Sequence, residues 1–226
     1  MVSETFDLYI LKDEETPYKT YTYIVVAKQT KEAVIIDPAC GEEKLVTLIT
    51  NSELKPRWVL LTHIHQDHIR QVEWLTKNFK IKVGLGIDEA HFYDYYVPHM
   101  ELLHDYEQIH IGDILITCLH TPGHTKGSMC YFIEGNLFTG DTVFIEGCGI
   151  CSELGGSAYE MFDSIQRLKQ IIPNTTEIYP GHCYVALPGK QMAYLYDNNI
   201  YFMLDDQESF VNFRMRKNQK YLFDFK

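Results

Sequence analysis

Three histidines and an aspartate fall within six residues of this sequence, in the stretch Thr62-His63-Ile64-His65-Gln66-Asp67-His68. Neutral imidazole and carboxylate are ligand types that suit zinc, iron and manganese. Four such side chains cannot all be satisfied as core residues, because each brings polar atoms that need hydrogen-bond partners. The stretch therefore indicates a metal site.

The residues that precede this stretch indicate how the fold presents it. Residues 57–62 form a short, mostly apolar and partly β-branched run, which predicts a buried strand. The histidines then follow a strand end, where open α/β sheets usually carry their sites. In an extended segment His63 and His65 point the same way and can face one metal. After the chain bends, Asp67 and His68 can face a second metal.

Hydrophobic patterning along the rest of the chain predicts a mixture of strands and helices. Strands are predicted at residues 5–11, 20–28, 32–38, 57–62, 81–85, 113–120, 128–133 and 136–139, and around residue 178. Helices are predicted at residues 41–51, 68–79, 88–96, 157–172, 191–201 and 207–217. The first three strands are expected to form an antiparallel start to a sheet.

Three further strand ends carry candidate ligands. His124 follows Thr121-Pro122-Gly123, Asp141 follows the hairpin strand that ends at Gly140, and His182 follows Tyr179-Pro180-Gly181. Proline and glycine force the chain to turn at the first and last of these points. With the first stretch they make seven candidate ligands.

The order of these motifs resembles the metallo-β-lactamase superfamily, and the resemblance covers nearly the whole chain. It implies an α+β protein with the αβ/βα sandwich, in which two mixed sheets are flanked by helices. It also implies a single domain over residues 1–226, with residues 190–226 as a short helical C-terminal extension.

The same resemblance implies the ligand sets. His63, His65 and His124 would hold the first metal, Asp67, His68 and His182 the second, and Asp141 would bridge both. Two Zn²⁺ ions are expected, and iron or manganese is also compatible with these ligands.

Within the superfamily the chain resembles the glyoxalase II-like hydrolases, through the stretches 121–125, 137–142 and 179–182. Residues 144–149, 198–202 and 213–216 are similar to a narrower group, the zinc-dependent hydrolases of bacterial trans-acyltransferase polyketide biosynthesis. Glyoxalase II enzymes carry G-R-F-F-E-G where this chain has residues 147–153, so the thiol carrier stays open among acyl carrier protein, phosphopantetheine and glutathione.

The resemblance implies hydrolysis of an acyl thioester. Water shared by two metals loses a proton near neutral pH, and a thiol with a pKa of about 8.5 leaves without a strong acid. Asp67 and Asp141 are the expected catalytic residues, with Asp67 relaying the proton.

A cationic cluster in the tail is the predicted substrate contact. It comprises Arg214, Arg216, Lys217 and Lys220, and it would hold a phosphate or an acidic carrier protein. The alternative is favourable placement at a helix C-terminus. Arg70 is a further candidate at the mouth of the site, with a surface charge as the alternative.

Composition narrows the expected setting. The formal net charge of −11 argues against nucleic acid and anionic membrane as partners. The first residues lack the basic and apolar regions typical of a signal peptide, and the sequence has no apolar run of about 18 residues. The six cysteines are expected to be reduced thiols. These features predict a cytoplasmic protein, and they leave the oligomeric state open.

Cys148-Gly149-Ile150-Cys151 lies in a glycine-rich loop, which disfavours a redox motif.

Three other functions compete with the hydrolase. A mono-iron sulfur dioxygenase would use His63, His124 and Asp141, and its G-C-G-R-T-D segment is similar to Gly147-Cys148-Gly149, although Ile150 stands in place of its arginine. A phosphodiesterase or nuclease is disfavoured by the acidic charge. A scaffold without catalysis is disfavoured because all seven ligands are present.

Overall fold

The computed structural model describes residues 3–217, 219 and 225, and its strands form two six-stranded sheets. In each sheet the strands lie side by side in chain order. The first sheet contains β1 (Phe6–Lys12), β2 (Tyr21–Ala27), β3 (Glu32–Ile36), β4 (Lys55–Leu60), β5 (Lys82–Gly86) and β6 (Met100–Leu103). The second contains β7 (Gln108–Ile111), β8 (Ile114–His120), β9 (Met129–Ile133), β10 (Asn136–Gly140), β11 (Glu177–Pro180) and β12 (Lys190–Gln191).

Seven helices in the described ranges cover these sheets. They are α1 (Glu42–Asn51), α2 (Val72–Asn78), α3 (Ile87–Tyr93), α4 (Ala158–Ile171), α5 (Met192–Asn198), α6 (Ile200–Met203) and α7 (Gln207–Arg214). Buried residues of α1, α2 and α3 pack against the first sheet. Buried residues of α4 to α7 belong to the core that includes the second sheet.

Strand β2 shows how the sequence builds the layers. Every residue of β2 is buried, because the strand is covered on both faces. Tyr23 and Val25 face the core between the sheets, whereas Ile24 and Val26 face the helices. The ring of Tyr23 lies 5.2 Å from that of Phe138 in β10, which joins the two sheets.

Both sheets are mixed, and the predicted αβ/βα sandwich is confirmed. In the first sheet β1, β2 and β3 pair antiparallel, and β3, β4, β5 and β6 pair parallel. In the second sheet the β10–β11 pair is parallel and the others are antiparallel.

The differences from the predicted elements are local. The strands β6, β7 and β12 were not predicted, because runs of two to four residues carry little periodicity. Helix α2 begins at Val72 rather than residue 68, since the preceding turn is held by the N–H of Gln71 donating to the carbonyl of Pro38 at 3.0 Å. The helix predicted at 191–201 is two helices, separated at Asn199.

None of the helices within the described residues has both the length and the apolar character needed to cross a bilayer.

Candidate metal centre

The seven predicted ligands meet where ends of strands from both sheets come together. The first sheet supplies the 63–68 stretch after β4, and the second supplies His124, Asp141 and His182 after β8, β10 and β11. The N–H of Met129 donates to the carbonyl of Thr62 at 2.8 Å, which ties β9 to the start of the stretch. The order of the strands thus converts four separated sequence positions into one cluster.

The first half of the centre consists of three imidazoles. Nδ1 of His65 lies 3.1 Å from Nε2 of His63 and 3.0 Å from Nε2 of His124. Nδ1 of His124 donates to the carbonyl of Ile150 at 2.7 Å, so the Nε2 lone pair of neutral His124 points at His65. The converging nitrogen atoms form the donor set of a cation site.

The second half holds two imidazoles and a carboxylate. Nδ1 of His68 donates to Oδ2 of Asp37 at 2.9 Å, and Nδ1 of His182 donates to the carbonyl of Tyr18 at 2.9 Å. In the neutral forms the Nε2 lone pairs therefore face each other across 3.3 Å. Oδ2 of Asp67 lies 3.3 Å from Nε2 of His182. Facing lone pairs beside a carboxylate fit a cation between them.

Asp141 lies between the two halves. Its Oδ2 is 3.4 Å from Nε2 of His124 and 3.5 Å from Nε2 of His182, and its Oδ1 is 3.4 Å from Nε2 of His68. Oδ1 is buried and makes no hydrogen bond within the described part of the chain. A buried carboxylate oxygen that lies among imidazole nitrogens and makes no hydrogen bond fits a bound cation. Imidazole and carboxylate together are also ligands that zinc accepts.

The pKa values of the imidazoles move in opposite directions in the two halves. Burial lowers the pKa of His63 well below its usual range and lowers that of His124 to about 4. Burial also opposes the charged form of His182, but Asp141 and Asp67 outweigh it and raise its pKa to about 9. The pKa of His68 is raised for the same reason, because Asp67, Asp141 and Asp37 outweigh burial.

Two carboxylates that support the centre were not predicted. Asp37 accepts from the backbone N–H of Thr62 at 2.8 Å and from its hydroxyl at 2.7 Å, in addition to its bond with His68. Glu89 is fully buried and accepts from the N–H of Ile64 at 3.1 Å. Asp37 could have been found by the rule that located the ligands, since it follows a strand end. Glu89 lies in a helix with no motif to mark it.

A cavity of about 250 Å³ opens over the centre. Its wall includes an aromatic group formed by Phe144, Tyr184 and Phe225. The ring of Phe225 stacks on the imidazole of His182, with centroids 4.2 Å apart and planes at 14°. The remaining lining residues are Tyr18, His65, Gln66, Asp67, His124, Asp141, Cys148, Gly149, Ile150, Glu153 and His182. The centre thus lies at the base of a pocket that can admit a small group.

Cys148 is among the residues that line this cavity, yet its thiol is not poised to react. Burial raises the pKa of Cys148 to about 12 and raises that of Cys151 further. A thiol nucleophile acts as the thiolate. Both thiols therefore stay protonated near neutral pH, which agrees with the prediction that Cys148 and Cys151 do not form a redox motif.

Arg70 is bound by carboxylates outside the cavity. Its Nη1 lies 3.0 Å from Oδ1 of Asp13, and its Nη2 lies 2.8 Å from Oε2 of Glu15. It is absent from the residues that line the cavity. The structure thus gives Arg70 an ion-pairing partner rather than a free guanidinium, and its predicted role in substrate binding stays a prediction.

The predicted cationic cluster is wrong in the case of Arg214. This side chain is only 4% exposed, and its Nη1 donates to the carbonyl of Cys148 at 3.3 Å and to the hydroxyl of Tyr201 at 3.0 Å. It is turned inward because helix α7 ends at Arg214 and packs this residue beneath the loop that carries Cys148. Arg216 and Lys217 are exposed, whereas Lys220 lies outside the described residues. A phosphate contact by Arg216 and Lys217 stays a prediction.

Comparison with known proteins agrees with this geometry. The family model for the metallo-β-lactamase superfamily matches residues 16–182. The chain is 42% identical over 222 residues to the probable polyketide biosynthesis zinc-dependent hydrolase PksB of Bacillus subtilis, covering 98% of this chain and 99% of that protein. It is 36% identical over 172 residues to a probable hydroxyacylglutathione hydrolase of Schizosaccharomyces pombe, covering 73% of this chain and 64% of that protein.

The fold is also found among solved structures. The crystal structure of ETHE1 from Myxococcus xanthus matches with a TM-score of 0.84 at 26% identity, covering 94% of this chain and 92% of that one. The chain therefore belongs to the metallo-β-lactamase superfamily. Within it, the chain is a metal-dependent hydrolase, and its predicted similarity to the glyoxalase II-like branch and to the zinc-dependent hydrolases of polyketide biosynthesis is confirmed.

Proposed function

We propose that the protein hydrolyses acyl thioesters in polyketide biosynthesis, with a centre of two metal ions and an acyl carrier protein or its phosphopantetheine arm as the thiol carrier. The observation that carries the proposal is the pair of ligand sets joined by Asp141 at the base of an aromatic-walled cavity. The similarity to a relative named as a zinc-dependent hydrolase of polyketide biosynthesis supports the biological setting.

The ions would be held by His63, His65 and His124 in the first site and by Asp67, His68 and His182 in the second, with Asp141 shared. Zinc is the expected metal, and iron or manganese would fit the same ligands. When bound, such ions lower the pKa of water and polarise an acyl carbonyl.

Asp67 is the proposed proton carrier. It lines the cavity, and its Oδ2 accepts from the hydroxyl of Thr20 at 2.7 Å. Burial opposes its charge, but His68 and His182 outweigh burial and lower its pKa, so that Asp67 is ionised at neutral pH. It would take the proton from the attacking water and pass it to the departing thiolate. Asp141 would fix the distance between the two halves.

The cavity accommodates the reacting end of the substrate. Its volume of about 250 Å³ admits the thioester and the neighbouring atoms, while Phe144, Tyr184 and Phe225 offer an apolar wall to the acyl chain. The rest of a phosphopantetheine arm would lie outside, towards its carrier protein. We expect neither nucleic acid nor membrane as a partner. The six cysteines, all free and buried, support a reducing compartment such as the cytoplasm.

Thiol release by the zinc-loaded protein tests the proposal. The substrates are an acylated carrier protein, the same acyl group on pantetheine, and the acylglutathione. We expect kcat/KM for the carrier protein to exceed that for acylglutathione by about tenfold or more, which corresponds to roughly 1.4 kcal/mol of preferential binding in the transition state. The Asp141→Asn protein, purified in parallel, reports any contaminating hydrolase.

Two other outcomes would change the assignment. Faster release from glutathione would make the protein a glyoxalase II with a short C-terminal segment. Release from none of the three would remove the thioester proposal. Oxygen uptake by the iron-loaded protein with glutathione persulfide would then test the dioxygenase, the alternative that uses His63, His124 and Asp141.

A further inference from the structure

The segment from Phe144 to Ile150, here called the 144–150 loop, connects the cavity to the metal centre. Phe144, Cys148, Gly149 and Ile150 all line the cavity. The carbonyl of Ile150 accepts from Nδ1 of His124 at 2.7 Å, and the N–H of Gly149 donates to the carbonyl of Asp141 at 2.8 Å. The position of the loop therefore bears directly on two of the predicted ligands.

The loop fits against His124 without spare room. A Cβ atom added to Gly149 would lie 2.8 Å from Nδ1 of His124 and 2.3 Å from the carbonyl oxygen of Asp141. A small displacement of the loop would consequently change the hydrogen bond that fixes the tautomer of His124. A group that holds the loop in place would also hold this imidazole.

Asn199 is such a group. Its side chain is fully buried, and its Nδ2 donates to the carbonyl oxygens of Phe144 and Gly147, at 2.9 Å in each case. Its Oδ1 accepts from the N–H of Tyr201 at 2.9 Å, which caps helix α6. One amide thus joins the start of α6 to two carbonyl groups of the loop, and all of its polar atoms are satisfied.

Arg214 holds the next carbonyl of the loop. Its guanidinium is buried beneath Cys148, and Nη1 donates to the carbonyl of that residue. None of the carboxylates in the described residues forms an ion pair with it. A buried cation is costly to desolvate, so its presence here needs a local role. The charge-assisted bond to the loop, together with the bond to Tyr201, provides one.

We propose that Asn199 and Arg214 are positioning residues for the metal centre: they fix the 144–150 loop, and through it His124, Asp141 and the cavity wall. Both lie beyond residue 182, where the superfamily match ends. The C-terminal helices α6 and α7 thereby act on the centre without contributing a ligand to it. The inference rests on the metal centre of the proposed function and is independent of the thioester substrate.

The test replaces Asn199 by aspartate and by serine. Asn199→Asp keeps the oxygen that caps α6 and loses both donors to the loop, and Asn199→Ser also retains a capping oxygen. Asn198→Asp is the matched control, because Asn198 is exposed and its Nδ2 donates to the carbonyl of Tyr194 within its own helix. Circular dichroism verifies folding of each protein before metal is added.

The readouts need no substrate. Zinc affinity is measured by competition with a chromophoric chelator, and the coordination geometry is followed by the visible absorption of the cobalt-loaded protein. We expect Asn199→Asp to weaken zinc binding by about tenfold and to shift the cobalt spectrum, since partners that orient metal ligands typically contribute about 10- to 100-fold in affinity. Asn198→Asp should match the original protein in both.

Arg214 provides a second, independent arm. Arg214→Met keeps a long apolar side chain but loses the donor, and Arg214→Lys keeps a cation that can reach a carbonyl. We expect a loss of zinc affinity in Arg214→Met that Arg214→Lys partly restores. If the folded variants at either position show the original affinity and cobalt spectrum, while only their unfolding temperature falls, the inference is wrong. If Asn199→Asp does not fold, Asn199→Ser and the Arg214 pair decide in the same way.

Discussion

The two halves of the metal centre differ in what stands behind the ligands. In the first half, the imidazole of His124 is backed by a carbonyl group, and burial dominates its pKa. In the second half, His68 and His182 lie among the carboxylates of Asp37, Asp67 and Asp141, which outweigh burial and raise the pKa of both imidazoles. Without metal, His124 in the first half is therefore neutral near pH 7, whereas His68 and His182 in the second half favour the protonated form.

This difference determines the proton balance of metal binding. A histidine must be neutral to bind a metal. In the metal-free protein the first half is already neutral near pH 7, whereas the second half holds protons that a cation must displace. We therefore expect the first site to fill with little dependence on pH and the second site to depend on pH strongly.

Removing the shared carboxylate should affect both halves and have the largest effect. Asp141→Asn leaves a neutral amide between His68, His124 and His182, and it removes the charge that both ions would share. Partners that merely orient ligands contribute about 10- to 100-fold, so we expect thiol release to fall by more than about 100-fold. Bound zinc, measured by elemental analysis, should fall with it. Activity within tenfold of the original would contradict the bridging role.

Asp37→Asn should affect the second half more than the first. Asparagine tolerates the left-handed backbone of Asp37, whose φ is 46°, and its side chain can still accept from Thr62, but it lacks the charge that faces His68. We expect binding of the second ion to weaken by about 10- to 100-fold. Binding of the first ion should weaken less, because Asp37 reaches His63 only through the hydroxyl of Thr62. Calorimetric titration resolves the two steps. Equal weakening of both steps would show that the halves are not independent.

Proton release on zinc loading compares the halves directly. At pH 7.5 His182, with a pKa of about 9, is protonated in the metal-free protein, and His124, with a pKa of about 4, is not. The second ion should therefore release at least one proton more than the first, from His182, and a further one from His68, whose pKa is also raised. An indicator dye in dilute buffer measures the release at each step. Equal release from the two steps would contradict the assignment.

The stability of the metal-free protein should depend on pH through the same histidines. His182 has a folded-state pKa above its usual 6.5, so its stabilising contribution is complete below pH 6.5 and is lost as the pH rises through about 9. His124 has a lowered pKa, so its neutral buried form costs stability as the pH falls from 6.5 through about 4. Calorimetric scans of chelator-treated protein should show the highest unfolding temperature near pH 6.5. The zinc-loaded protein, in which the histidines bind metal in the neutral form, is scanned over the same pH range as the control.

The smallest effect is expected at Glu153. Its Oε2 lies 3.6 Å from Nε2 of His65, but the side chain is 56% exposed, and an exposed ion pair contributes little. Glu153→Gln should change zinc affinity and thiol release by less than about twofold. A larger loss would mean that a carboxylate also supports the first half. The two halves would then differ less in the groups that surround their imidazoles.

The structure brings the seven candidate ligands together, as the sequence predicts, because these residues obey a local rule. Each lies just after a strand, and proline with glycine marks the turns before His124 and His182. Asp37 obeys the same rule, since it follows directly after β3, but its role depends on distant partners. Its partners, Thr62 and His68, lie 25 and 31 residues further along the chain, and no local pattern connects them.

Arg214 shows where sequence reasoning fails. The sequence predicts Arg214 as a member of the cationic cluster in the tail, within a helix that runs to residue 217. In the structure α7 ends at Arg214, and the helix packs against α4 so that this side chain points inward. The buried face of a short helix depends on its tertiary neighbours, and a helix of eight residues carries too few apolar positions to reveal them.

The division of the ligands between the sheets has a mechanical consequence. The stretch 63–68 follows a strand of the first sheet, and His124, Asp141 and His182 follow strands of the second. Any ion bound by both sets of ligands would therefore link the two sheets. An ion present at a thousand times its dissociation constant would add about 4 kcal/mol to the free energy of unfolding. Removing it with a chelator would therefore loosen the sandwich at one edge and ease its separation under force, as well as stop the chemistry.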